Sequence, residues 1–302
     1  MKIFITLLGK GPDMKKKYFV IHPAKFRLDG GAMFGIIPKP LWEKFAPPDA
    51  LNRIDMSLRV MLIQTENKNI LIDTGIGDYH GERWDERFDV RGTKNPLLAV
   101  LENEFNLKAE AITDLIISHL HFDHAGGLGQ DQDTGHTVLF PKATVHLHRE
   151  HYIYAMNPTE RDSGSFQKEY FSPLIDWYES KNQVHWLEGE VGILFDDFKF
   201  MVSHGHTPYL LHAYDDKFIY MADLVPTSAH IKVPWVMGYD IAPGITVKDK
   251  RRFYHFIIEK KLTMIFEHDP KFWGANIAEE KKDFKAIELF SIDEKSALPI
   301  LI

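Results

Sequence analysis

The stretch LIISHLHFDHAGGL, Leu115 to Leu128, places the tightest constraint on how this chain folds. Directly after an apolar run it sets His119, His121, Asp123 and His124 within six positions. The run Leu115 to Ile117 is too short for a helix and predicts a buried strand. Residues two apart in an extended chain point the same way, so His119 and His121 present two imidazoles to one point past the strand end. The chain must then turn for Asp123 and His124 to reach a second point, and Gly126-Gly127 offer the conformational freedom and close packing for that turn. Consecutive Asp123 and His124 converge poorly with both earlier histidines on one ion, so the pattern implies two metal ions.

A metal pair needs more than four ligands, supplied from other strand ends. His206 in SHGHTP, Asp223 in MADL and His268 in FEHDP each follow or close a strand-like run. The chain has no cysteine, which removes thiolate ligands and nucleophiles, disulfides and iron–sulfur clusters. Any metal is therefore held by histidine and carboxylate. Acidic residues outnumber basic ones by 43 to 36, a formal net charge of −7, so nucleic acid is not an expected partner. No stretch approaches the roughly 18 apolar residues that cross a bilayer, so no membrane partner is expected either. The opening MKIFITLLGK has only a short apolar run and no small-residue cleavage site after it. It reads as a strand entering a turn at Gly9 to Asp13, and the expectation is a soluble, cytoplasmic protein with a homodimer left open.

Along the chain, Arg59 to Gln64 and Asn69 to Asp73 read as a hairpin across a polar turn, and KNPLLAVLENEFNL as a helix. KATVHLH predicts a strand and REHYIYAM a helix. In FSPLIDWYESK, Ser172 is placed to cap a short helix with Pro173 at its first position. NQVHWLE, ILFDDFKFMVS, LLHAYDD and KFIYMADL predict strands, with a turn at Asp215-Asp216. VKDKRRFYHFIIEKK reads as an amphipathic helix and LTMIFEH as the strand after it. No repeat or long linker interrupts this pattern, so residues 1–302 are expected to form a single domain.

The motif H-x-H-x-D-H, complete at His119, His121, Asp123 and His124, resembles that of the metallo-β-lactamase fold superfamily. His206, Asp223 and His268 match that family's remaining ligands in order. The resemblance implies a four-layer αβ/βα sandwich, two mixed sheets face to face with helices outside, and a dinuclear site at one sheet edge. It implies His119, His121 and His206 on one ion, Asp123, His124 and His268 on the other, and Asp223 bridging both. By the same resemblance Asp73 in LIDTG sits beneath the site, where a carboxylate fixes a ligand histidine's tautomer. Of the two histidines in SHGH, His206 is the ligand by resemblance and His204 is expected beside the site. His146, His148, His151, His212 and His255 receive no role. Zinc is the default ion, with iron, manganese or cobalt equally compatible with these ligands. Two ions about 3.5–4 Å apart acidify a shared water and polarise the bond under attack, giving hydrolysis without a covalent intermediate. Asp123 is placed to shuttle the proton to the leaving group.

Within the superfamily the chain is similar to the quorum-quenching N-acyl homoserine lactonases and related organophosphate hydrolases. Many such lactonases carry a tyrosine three residues after the bridging aspartate, where this chain has Pro226. The expected activity is opening of lactones or cleavage of related esters. Phosphotriesterase and glyoxalase II-like thioesterase activities are alternatives, and a nuclease or a non-catalytic metal-binding scaffold stands further off. Met33 and Phe34 in GGAMFG, with Trp235 and Met237 in VPWVMGY, either pack the core or line a cleft. In the second case the substrate is a small molecule with a polar head and an apolar tail.

Overall fold

Strand-forming sequence divides between the two halves of the chain, and each half builds one sheet except that the last strand returns to the edge of the first. The structure is a computed structural model that describes residues 16–92, 94–132, 135–281, 283–292 and 300–301. The strand expected ahead of Gly9 lies outside them. The first half contributes β1 (Lys17–Asp29), β2 (Arg53–Gln64), β3 (Asn69–Ile72) and β4 (Asp114–Ile116). A small hairpin of β5 (Gly129–Gln132) and β6 (Gly135–Val138) follows, then β7 (Thr144–His148) and β8 (Val184–Leu187). The second half contributes β9 (Val191–Phe195), β10 (Phe198–Ser203), β11 (Leu210–Tyr214), β12 (Phe218–Tyr220) and β13 (Thr263–Ile265). It closes with β14 (Phe272–Glu280), β15 (Asp283–Ser291) and β16 (Ile300–Leu301).

The first sheet runs β16-β1-β2-β3-β4-β7-β8, antiparallel from β16 to β3 and parallel from β3 to β8. The second runs β15-β14-β13-β12-β11-β10-β9, with β12 and β13 parallel. Strand alternation separates two cores. In β2, Met61 and Ile63 join the cluster between the sheets, while Val60 and Leu62 join the cluster under the helices. A strand buried on both faces reads as a continuous apolar run, which is why VMLI shows no alternation. The eight helices among the described residues are α1 (Gly30–Phe34), α2 (Lys39–Trp42), α3 (Glu82–Phe88), α4 (Pro96–Phe105), α5 (Phe122–Ala125), α6 (Arg149–Met156), α7 (Lys168–Ser180) and α8 (Pro243–Lys260). Helices α4, α6 and α7 cover the first sheet, and α8 covers the second through Phe253, Tyr254 and Ile257. The result is the four-layer arrangement expected. No helix among the described residues is long and apolar enough to cross a membrane.

Several boundaries differ from the sequence reading, and three of them have a clear physical cause. Helix α7 begins at Lys168, so Ser172 is not its cap and Pro173 lies inside it. The buried stripe Tyr170, Phe171, Leu174, Ile175 and Tyr178 starts before the proline, and this packing outweighs the loss of one backbone bond. ILFDDFKFMVS is two strands rather than one, because Asp196 adopts φ 49° and turns the chain. Helix α8 starts a turn early, with Pro243 at its first position.

Candidate metal centre

Asp73, the quoted motif, His206, Asp223 and His268 lie beyond the ends of β3, β4, β10, β12 and β13. All seven ligand candidates are buried and fall into two groups. In the first, His119 Nε2 lies 3.0 Å from His121 Nδ1, which lies 3.2 Å from His206 Nε2. Asp223 Oδ2 is 3.1 Å from His206 Nε2 and 3.9 Å from His119 Nε2. These four residues converge from both sheets. The second group is Asp123, His124 and His268. His124 Nε2 is 3.8 Å from Asp123 Oδ1, and His268 Nε2 is 3.7 Å from Asp123 Oδ2. Asp223 reaches this group too, at 3.5 Å from His124 Nε2 and 3.1 Å from His268 Nε2.

The donor set fits divalent cations. His124 Nε2, His268 Nε2 and Asp223 Oδ1 are buried without hydrogen-bond partners, although they face one another. Unsatisfied polar atoms in an interior are costly, and a shared cation satisfies all three. The charges respond to the crowding. Burial, then the neighbouring imidazoles, pushes His119 and His121 well below the usual histidine range. Burial alone would also lower His206 and His268, but Asp223 outweighs it and raises each to about 9. Asp223, despite a burial that opposes ionisation, is held well below the carboxylate range by His206, His268 and His124.

The far ring nitrogens of His119, His124, His206 and His268 are tied down, which fixes the tautomer that points the other nitrogen inward. His206 Nδ1 donates to Asp240 Oδ1 at 3.0 Å, and Thr246 Oγ1 donates to Asp240 Oδ2 at 2.9 Å. His268 Nδ1 donates to the carbonyl of Ser57 at 2.8 Å. Asp73 Oδ2 accepts from His124 Nδ1 at 3.0 Å and from Ser118 Oγ at 2.6 Å. Because Ser118 gives its one proton to Asp73, it accepts from His119 Nδ1 at 3.0 Å. Asp73 therefore braces one imidazole of each group.

Several supporting residues escaped the sequence reading. Glu267 is fully buried with Oε2 2.8 Å from His124 Nδ1, and burial, partly offset by His124, raises it to about 7. Arg59, also fully buried, donates to the carbonyls of Phe266 and Asp269 on either side of the Glu267-His268 pair. An arginine inside SLRVMLI was the available signal, since a charge in an apolar strand needs partners. Asp240 lies 34 positions from His206, with nothing local to mark it. His151 is buried between two ligand-bearing loops, and burial lowers it to about 4, so it is no incidental histidine. His204 instead turns to Glu190, 3.0 Å away at the surface. Gly126 has φ −63°, so its role is close approach rather than conformational freedom. A Cβ there would sit 2.0 Å from the carbonyl oxygen of Ile76.

Met33, Phe34, Trp235 and Met237 come together, but in a buried cluster, with Phe34 stacked on Trp42 and His230 and edge-on to Trp235. Trp235 also borders a groove of about 500 Å³ with Phe45, Phe272 and Leu289, and no ligand candidate lines that groove. The aromatic side chains nearest the ligands are others. Phe166 lies 4.5 Å from the His121 ring, and half-buried Trp84 and Phe88 pack on Phe122, within the motif itself.

Two facing sheets with a histidine and aspartate cluster at one edge define the class, and the family comparison agrees. The metallo-beta-lactamase superfamily model matches residues 59–268, and the chain belongs to that superfamily. The N-acyl homoserine lactonase AttM of Agrobacterium fabrum (strain C58) is 24% identical over 165 residues, 53% of this chain and 59% of its own. The chain spans about half the length of the curated relatives it matches. A probable metal-dependent hydrolase from Staphylococcus aureus superposes with TM-score 0.80 at 24% identity, covering 92% of this chain and 97% of that one. AidC, a dizinc quorum-quenching lactonase in complex with a product, gives TM-score 0.71 at 20% identity over 90% and 94% of the two chains.

Proposed function

We propose that this chain is a dinuclear metal-dependent hydrolase that opens lactones or cleaves related esters. The observation that carries the reading is Asp223, one carboxylate facing imidazoles of both ligand groups, with an oxygen left unpartnered. His119, His121 and His206 would hold one ion, Asp123, His124 and His268 the other, and Asp223 would bridge them. Zinc suits the set. Such a pair supplies an acidified water and a Lewis acid for the carbonyl. Asp123, its carboxylate beside both His124 and His268, takes up a proton and delivers it to the leaving oxygen. Asp73 and Asp240 hold the ligand rings in the required tautomer. The carbonyl of Pro226 accepts from the His268 amide at 3.0 Å, so position 226 is used for the ligand loop. Tyr239 is the phenol available at the site. Burial, then Asp123, raises its pKa and keeps it a neutral donor.

The half-buried rim of Trp84, Phe88 and Phe122 suits an apolar tail, while Phe34 and Trp235 support the wall from behind. Each methylene buried is worth about 0.8 kcal/mol, or roughly fourfold in kcat/KM if realised in the transition state. Purified protein should carry two ions per chain by elemental analysis. Across acyl homoserine lactones of rising chain length, kcat/KM should rise until the rim is filled, and Trp84→Ala should flatten the trend. Phe34→Ala should instead cost about 3–5 kcal/mol of stability. A preference for phosphotriesters, thioesters or phosphodiesters over every lactone and ester in the same screen would overturn the substrate assignment.

A further inference from the structure

The first ligand group joins two loops from different sheets, the one after β4 carrying His119 and His121 and the one after β10 carrying His206. One side chain outside both loops is bonded to both. His151, in the first turn of α6, is fully buried. The Leu120 amide donates to its Nε2 at 2.8 Å, and its Nδ1 donates to the carbonyl of Pro208 at 2.8 Å. Leu120 lies between two ligand candidates, and Pro208 is two residues beyond the third. Both partners are backbone groups of fixed polarity, so only the neutral ring protonated at Nδ1 satisfies them together. A charged ring or the other tautomer would set N–H against N–H. Phe166 fills the remaining space, 4.5 Å from the His121 ring and 5.9 Å from that of His151, so the bracket has little room to shift.

Nothing comparable ties His151 to the second group. Asp123 and His124 lie within α5, His124 is bonded to Asp73, and His268 hangs from Ser57 and the Arg59 clamp. We propose that His151 is a positioning residue that presets the distance between the two loops. It thereby sets the affinity of the ion held by His119, His121, His206 and Asp223, while leaving the other ion nearly unchanged. This rests on the dinuclear reading above.

The test strips zinc from the loaded protein with a chromophoric chelator and reads two stepwise dissociation constants. In His151→Leu one constant should weaken by about 10 to 100-fold, the range for a partner that orients a ligand, and the other by less than about twofold. His151→Gln, which keeps one acceptor and one donor, should recover most of the loss. If wild type never holds two ions, the dinuclear reading fails. If it holds two and folded His151→Leu weakens neither, or both equally, the inference about His151 fails. Should His151→Leu not fold, nitrogen NMR of the loaded wild type decides: protonation at Nδ1 alone supports the bracket, and protonation at Nε2 or at both nitrogens overturns it.

Discussion

The two ligand groups share Asp223 yet are supported differently. Behind the first stand Ser118, whose hydroxyl is neutral, and Asp240, whose second oxygen is engaged by Thr246. Behind the second, His124 Nδ1 faces two buried carboxylates at once, Asp73 at 3.0 Å and Glu267 at 2.8 Å. Behind the first group one carboxylate and one hydroxyl serve two imidazoles, whereas behind the second two carboxyl groups converge on one imidazole. On the proposed dinuclear reading, the difference would let one fold tune two neighbouring ions separately through what lies behind their ligands.

The strongest attack on that distinction is to remove what the groups share. Asp223→Asn keeps the size but takes away the charge facing both, so turnover should fall by more than about 100-fold, beyond the 10 to 100-fold range of supporting partners. Elemental analysis should show ions lost together, and full metal content at near-normal rate would refute the bridge. Next come paired changes behind each group. Asp240→Asn should weaken one stepwise constant and Glu267→Leu the other, each by about 10 to 100-fold. Asp73→Asn should touch both, since it braces His119 through Ser118 as well as His124 directly. If Asp240→Asn and Glu267→Leu weaken the same constant, the groups are not independently supported.

A smaller effect is expected in the metal-free protein as pH changes. His206 and His268 are raised to about 9 from 6.5, so their contribution to stability is complete below pH 6.5 and is lost as pH rises through 9. Glu267, raised to about 7 from 4.5, acts with the same sign at lower pH, complete below 4.5 and lost through 7. The melting temperature without metal should therefore fall in two stages on going alkaline. Glu267→Gln should remove only the lower stage, and a flat wild-type profile would contradict both. Metal binding displaces these protons, so apparent affinity should climb over the same range.

The ligand candidates were legible in the sequence because each lies in the segment that follows a strand, and strand ends are marked locally by apolar runs. His119 and His121 even carry the two-residue period of an extended chain. Their supports were not legible, because Asp240, Glu267 and His151 matter only through contacts that folding creates across 31 positions or more. Glu267 illustrates this best. It adjoins His268 in sequence, yet the imidazole it faces belongs to His124, in the other half of the chain. The helix start misread at Pro173 has another cause, since that proline was weighed by a local rule and tertiary packing decided the outcome. Gly126 was noticed for freedom and for close packing, and only the packing is used, against an Ile76 carbonyl that a local reading does not see.

Four ligand candidates come from the sheet built by the first half of the chain and three from the sheet built by the second. Neither set alone completes either group, so bound ions would add their binding energy to the apolar cluster that holds the sheets together. The quantity that follows is lifetime: when free zinc is scarce, the protein would be degraded faster as well as working more slowly. Protease digestion with and without chelator would read this directly, and equal survival in the two arms would show that the halves hold together without the ions.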